Sequence, residues 1–135
     1  MSAGLNSLPH EIPFRAVSRI VPIDDKTARG LFLPSSNDAL QGVPLELMLV
    51  EAMAQVGGSV VFSEPGSRGF LFGVDNVEIA TLPEVGDRID LEVRLEAELA
   101  GLFRFQGTAR RGELLVCSAR FYLASESRAG ESEPK

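Results

Sequence analysis

The run from Pro44 to Phe62, PLELMLVEAMAQVGGSVVF, constrains this chain more than any other, because its only polar residues are Glu46, Glu51, Gln55 and Ser59. A helix this long and this apolar comes close to spanning a bilayer. A charged residue near the centre of a spanning helix, however, costs about 2.5 to 3.5 kcal/mol, and the flanking sequence reads as the strands of a soluble fold. The run is therefore expected as a buried helix. Pro44 suits the first helical position, where its missing N–H forfeits no bond. Gly57 and Gly58 are expected where the helix packs closely on a sheet.

After the helix, the apolar residues recur at every second position. In Arg88 to Glu98, Ile89, Leu91, Val93, Leu95 and Ala97 form one face, and Asp90, Glu92, Arg94, Glu96 and Glu98 the other. That is the pattern of a strand with one buried and one wet face. Leu99-Ala100-Gly101 turns the chain into a strand through Phe103, Phe105 and Gly107, and Arg111-Gly112 turns it into another through Leu115, Cys117, Ala119, Phe121 and Leu123. Phe70 to Ile79 is a further strand ahead of this meander, and Ala16 to Ile23 with Thr27 to Leu33 form a hairpin before the helix. The expected order is strand, strand, helix, then four strands. A helix with so little polar surface needs a sheet that wraps it, which makes the fold α+β. The open side of such a sheet calls for a partner subunit, so a dimer is expected.

A chain of 135 residues, 44% hydrophobic and 24% charged, has room for one domain and enough apolar sequence to fold it. One cysteine and one histidine exclude an internal disulfide and the usual His/Cys zinc site, and no metal or cofactor is expected. A net charge of -6 argues against nucleic acid as a partner. No basic segment followed by an apolar one opens the chain, so a cytoplasmic location is expected, with no membrane partner. Residues 1–124 read as one domain with an N-terminal arm, and 125–135 as a disordered tail. Cys117 reads as a small core hydrophobe. Arg104, Arg110 and Arg111 are the best basic cluster.

Leu8-Pro9-His10 with Pro13-Phe14, then Glu51-Ala52-Met53-Ala54-Gln55, Phe72-Gly73-Val74-Asp75 and Phe105 to Ala109 lie in order along the core, and together they resemble the hotdog-fold 3-hydroxyacyl-(acyl-carrier-protein) dehydratases. Leu8-Pro9-His10 with Pro13-Phe14 resembles the family's L-P-H-x-x-P-F opening, and Glu51-Ala52-Met53-Ala54-Gln55 its E-A-M-A-Q. Phe72-Gly73-Val74-Asp75, followed by Pro83, Val85, Gly86 and Asp87, is similar to the family's strand and turn. Phe105 to Ala109 with Gly112-Glu113-Leu114 is similar to its closing hairpin. The resemblance implies a hotdog fold, an antiparallel sheet wrapped around one long central helix. It also implies an acyl thioester of acyl carrier protein or coenzyme A as the ligand, and a homodimer or a heterodimer with a related subunit.

The resemblance further implies an acid/base pair at a dimer interface, a helix carboxylate and a histidine from the loop before the helix. Glu51 stands at the carboxylate's place. The histidine has no counterpart: an ungapped count from Glu51 puts Asn37 there, and matching Asn37-Asp38-Ala39-Leu40-Gln41-Gly42 to the family's N-E-x-F-F-Q-G puts Val43 there, after a shorter loop. The only histidine, His10, belongs to the opening motif. Where the family has a glycine whose backbone lets a thioester oxygen approach the helix N-terminus, this chain has Glu46 and then Leu47. The candidate site is thus Glu51 and Asn37 (or Asp38) for catalysis, with Glu46, Leu47, Gln55, Phe72 and Gly73 for substrate. Read structurally instead, Glu51 would pair with Arg15, Arg19 or Gln55, and Gln55 would be a buried amide bonding main chain. Three functions stay open: a dehydratase without its histidine, a thioesterase using Glu51, and a non-catalytic subunit.

Overall fold

The computed structural model describes residues 17–34 and 44–126. In chain order the elements are β1 (Arg19–Pro22), β2 (Thr27–Phe32), α1 (Leu45–Val61), β3 (Gly69–Ile79), β4 (Ile89–Leu99), β5 (Leu102–Arg111) and β6 (Leu114–Ser125). This is the expected order of strands around one helix. The strands form a six-stranded sheet in the order β1-β2-β4-β5-β6-β3, antiparallel between every pair of neighbours. The chain leaves β2, runs through α1, and returns as β3 on the opposite edge, so the helix lies across one face of the sheet.

The helix packs most heavily on β2 and β4. Close approach comes from missing side chains: a Cβ on Gly30 would lie 2.5 Å from Val56 Cγ2, and one on Gly107 would lie 2.8 Å from Met53 Sδ. Glycine at both positions thus lets helix residues sit directly on strand backbone. Gly57 packs as expected, facing Phe105, Phe121 and Leu123. Gly58 does not, because it lies on the helix flank, and only Phe62 is near it. Beneath the helix, Phe105 and Phe121 stack with ring centroids 5.3 Å apart, amid buried Phe32, Met48, Leu49, Ile89, Leu91 and Val93.

Some expectations shift. Pro44 has an extended ψ of 142° and so precedes the helix as its N-cap, its carbonyl accepting from the Leu47 and Met48 N–H groups. The inward face of β4 holds for Ile89, Leu91 and Val93 but fails at Ala97, which is exposed. The register slips between Leu95 and Ala97, a bulge around Glu96. β6 also continues past the expected domain end at Ala124, to Ser125, and Glu126 N–H donates to Arg68 C=O. The arm with His10 and Arg15, the Asn37, Asp38 and Val43 positions, and 127–135 of the tail lie outside the described residues.

Candidate functional site

Glu51 and Gln55 lie one helical turn apart, so their side chains share one stripe of α1. The turn of the helix sets what each meets. Leu49, Ala52, Met53 and Val56 are fully buried on the sheet side, and Glu51 falls on the flank, half-buried. Gln55 goes deeper, only 9% exposed, and its Oε1 accepts the backbone N–H of Val17 at 3.2 Å. Its Nε2 is buried and has no hydrogen-bond partner among the described residues. The bond to main chain is the structural role anticipated for this amide; the second half of the amide is not accounted for by it.

The remaining sequence candidates spread over the fold. Glu46 is in the first turn of α1, where a carboxylate is favoured by the helix dipole, and Leu47 beside it is half exposed. Phe72 and Gly73 are on β3, the sheet edge beyond β6 and opposite the edge next to β2. The β3–β6 register passes from Leu71↔Leu123 to Gly73↔Tyr122, which leaves Phe72 bulged out of the ladder and 63% exposed. Nothing lies within 4 Å of where a Cβ on Gly73 would be. Within one chain the fold therefore sets these two apart from the Glu51–Gln55 stripe.

The basic cluster disperses. Arg104 and Arg120 both reach Glu96 Oε1, at 3.2 and 3.3 Å, and Arg111 reaches Asp87 Oδ2 at 2.8 Å on a different part of the surface. Residues adjacent in sequence on a strand face opposite ways, so Arg110 and Arg111 could not have made one patch. Asp87 was anticipated only as part of a motif. Its carboxylate accepts from Glu84 N–H at 2.8 Å as well as from Arg111, and those two contacts, the backbone one first, hold it below the usual carboxylate range. Next to it, Gly86 at φ +95° donates its N–H to Pro34 C=O, tying the β3–β4 loop to the chain that leads towards Asn37. The Gly86-Asp87 turn was the signal available for this knot; its arginine partner was not legible from spacing. Cys117 is buried, and desolvation pushes its thiol up, as befits a core residue. Among the described residues no three His, Cys, Asp or Glu converge on a point where a metal ion could sit, and no helix is long and apolar enough to cross a membrane.

No family model matches the chain. Individual proteins do. The 3-hydroxyacyl-(acyl-carrier-protein) dehydratase FabZ of Caldanaerobacter subterraneus subsp. tengcongensis is 32% identical over 132 residues, spanning 88% of this chain and 94% of that protein. Among solved structures, the dehydratase heterocomplex ApeI:P from Xenorhabdus doucetiae superposes with a TM-score of 0.73 at 17% identity, over 96% of this chain and 95% of that one. A hypothetical thioesterase with coenzyme A from Streptococcus pneumoniae gives a TM-score of 0.65 at 15% identity, over 86% and 98%. At those identities the structural matches establish the fold, a hotdog, and the FabZ match establishes descent. With its E-A-M-A-Q helix laid across a six-stranded antiparallel sheet, the chain belongs to the 3-hydroxyacyl-(acyl-carrier-protein) dehydratase family.

Proposed function

We propose that the protein binds acyl thioesters, of acyl carrier protein or coenzyme A, beside its central helix. In this reading it presents Glu51 to them as a dehydratase-like subunit that lacks the other half of the family's acid/base pair. The observation that supports this best is Glu51 itself. It is a half-buried carboxylate in a largely apolar helix, at the carboxylate's place in the family motif, in a chain whose one histidine is His10 of the opening motif.

Dehydration of a 3-hydroxyacyl thioester takes the proton from C2, expels the C3 hydroxyl as water and leaves a C2=C3 double bond. One group must accept a proton and one must give it. A carboxyl group can do either, according to whether it carries the proton. The amide of Asn37, which an ungapped count puts at the histidine's place, hydrogen-bonds but is neither a useful acid nor a useful base near neutral pH. Loss of general acid/base assistance costs about 10² to 10⁴ in rate. On its own, then, the protein is a binder with slow turnover at most, and a related subunit bearing an imidazole would complete the pair, whether in fatty-acid or polyketide-type synthesis in the cytoplasm. A solved dehydratase of the same fold is a heterocomplex.

The partner surface in this reading is β3. It forms an open edge of the sheet and exposes Phe70, Phe72 and Val74, the kind of edge that natural sheets cover or pair. Phe72 and Gly73 would then enter the site from a second copy or a related chain. The test is calorimetric titration with a 3-hydroxyacyl-coenzyme A. Saturable binding is expected from the wild type and from Glu51→Gln, with the melting temperature of the variant unchanged. No binding by well-folded protein would overturn the reading, and a variant that melts early would make Glu51 a structural residue.

A further inference from the structure

β3 carries no lysine or arginine, and its two charged residues are both acids, Asp75 and Glu78. A bulge decides where they point. Asp75 pairs with Arg120 and Glu78 with Ser118, so one extra residue is taken up between them, where Asn76 stands at φ 55°. Asparagine tolerates that left-handed conformation better than most residues. On a regular strand two acids three positions apart would face opposite ways. The extra residue puts both on the face away from α1, the side of half-buried Arg120 and Ser118, while Val74 and Ile79 pair with core Phe121 and Cys117 on the helix side. Both acids are exposed. The bases beside them are already paired: Arg120 reaches Glu96 at 3.3 Å, and Arg68, just ahead of the strand, reaches Glu126 at 3.1 Å.

We propose that β3 selects its partner by charge, taking a related chain whose facing edge strand carries lysine or arginine in preference to a second copy of itself. This rests on β3 as the partner surface of the function proposed above and adds the chemistry of the chain that pairs there. Two copies meeting on this edge would do so about a twofold axis, strand antiparallel to strand, with their outer faces continuous. All four acids then lie along one seam, with no base on either strand to meet them, and like charges across a strand pair are destabilising. The net charge of -6 on each copy adds to the repulsion. Exposed Phe70, Phe72 and Val74 drive pairing with either chain, so the acids decide which chain is preferred. Discrimination between similar partners commonly uses a repulsive element of this kind.

The test uses three variants of this chain, each checked for its fold by circular dichroism. Asp75→Asn/Glu78→Gln removes the charge from the edge, and Asp75→Lys/Glu78→Lys stands in for a basic-edged partner. Asp25→Asn/Glu98→Gln takes the same charge from exposed positions off β3 and serves as the control. In sedimentation equilibrium the neutral-edge variant is expected to self-associate about tenfold more tightly than the wild type, and the control to change little. In native mass spectrometry an equimolar mixture of wild type and the lysine variant is expected to give mixed dimers well above the half that random pairing produces. Unchanged self-association of the neutral-edge variant, a control that tightens as much, or mixed dimers at the random share would overturn the charge selection and leave β3 as the interface. A wild type that stays monomeric both alone and with the lysine variant would overturn the β3 interface itself.

Discussion

Ala100 holds a backbone conformation that its own side chain disfavours. It sits at φ 52° in the β4–β5 turn, ahead of Gly101 at φ 83°, and two successive positive φ angles are what a tight hairpin of this kind requires. A Cβ in the left-handed region costs about 1 kcal/mol. Ala100→Gly is therefore expected to stabilise the fold by roughly 0.5 to 1 kcal/mol in chemical denaturation; a loss of stability would mean that the turn is held some other way. Such single positions differ in how far they can be read in advance. Glu51 stands out in the sequence because a carboxylate inside a largely apolar helix is conspicuous whatever surrounds it, and the fold leaves it half-buried on the helix flank. Gln55 was half legible: burial on the helix foretold a main-chain bond, but only the fold supplies Val17 as the partner and leaves Nε2 over.

Elements were legible wherever periodicity carries the signal. Alternation marked β4, β5 and β6, and the apolar run marked α1, because burying one face or nearly all faces dictates those patterns. Periodicity says nothing of which strand neighbours which, so β3 at the far edge and the bulges at Phe72 and Glu96 had no signature. The β3–β4 loop was likewise visible only as a turn. There Asp87, whose carboxyl is held below its ordinary 3.8 by Glu84 N–H and then by Arg111, contributes stability that is present above the unfolded value and lost as pH falls through the folded one. Asp24, lowered mainly by Lys26 N–H in the β1–β2 turn, acts in the same sense. Wild-type stability should thus drop as pH falls below about 4, and Asp87→Asn should flatten that acid limb. Parallel limbs in denaturation at a series of pH values would show that Asp87 does not hold the loop.

On the scale of the whole molecule, the exposed apolar edge at β3 is the feature that a single chain leaves unfinished. Phe72→Lys puts a charge on that edge. It is expected to shift sedimentation from a dimer to a monomer while the circular dichroism of the fold is kept; a monomeric wild type would contradict a β3 interface outright. Family membership could be read from motifs because they span the core in order, whereas the catalytic state could not, since Asn37, Asp38 and Val43 lie outside the described residues. What the molecule can do chemically is then the decisive question, and mass spectrometry of a 3-hydroxyacyl thioester on carrier protein, incubated with purified wild type and with Glu51→Gln, answers it most directly. The thioester is expected to keep its mass in the presence of a folded protein that binds it. Rapid loss of water with the wild type alone, within the first minutes of incubation, would contradict this by revealing a dehydratase complete without the histidine, and release of free acid would contradict it by revealing a thioesterase.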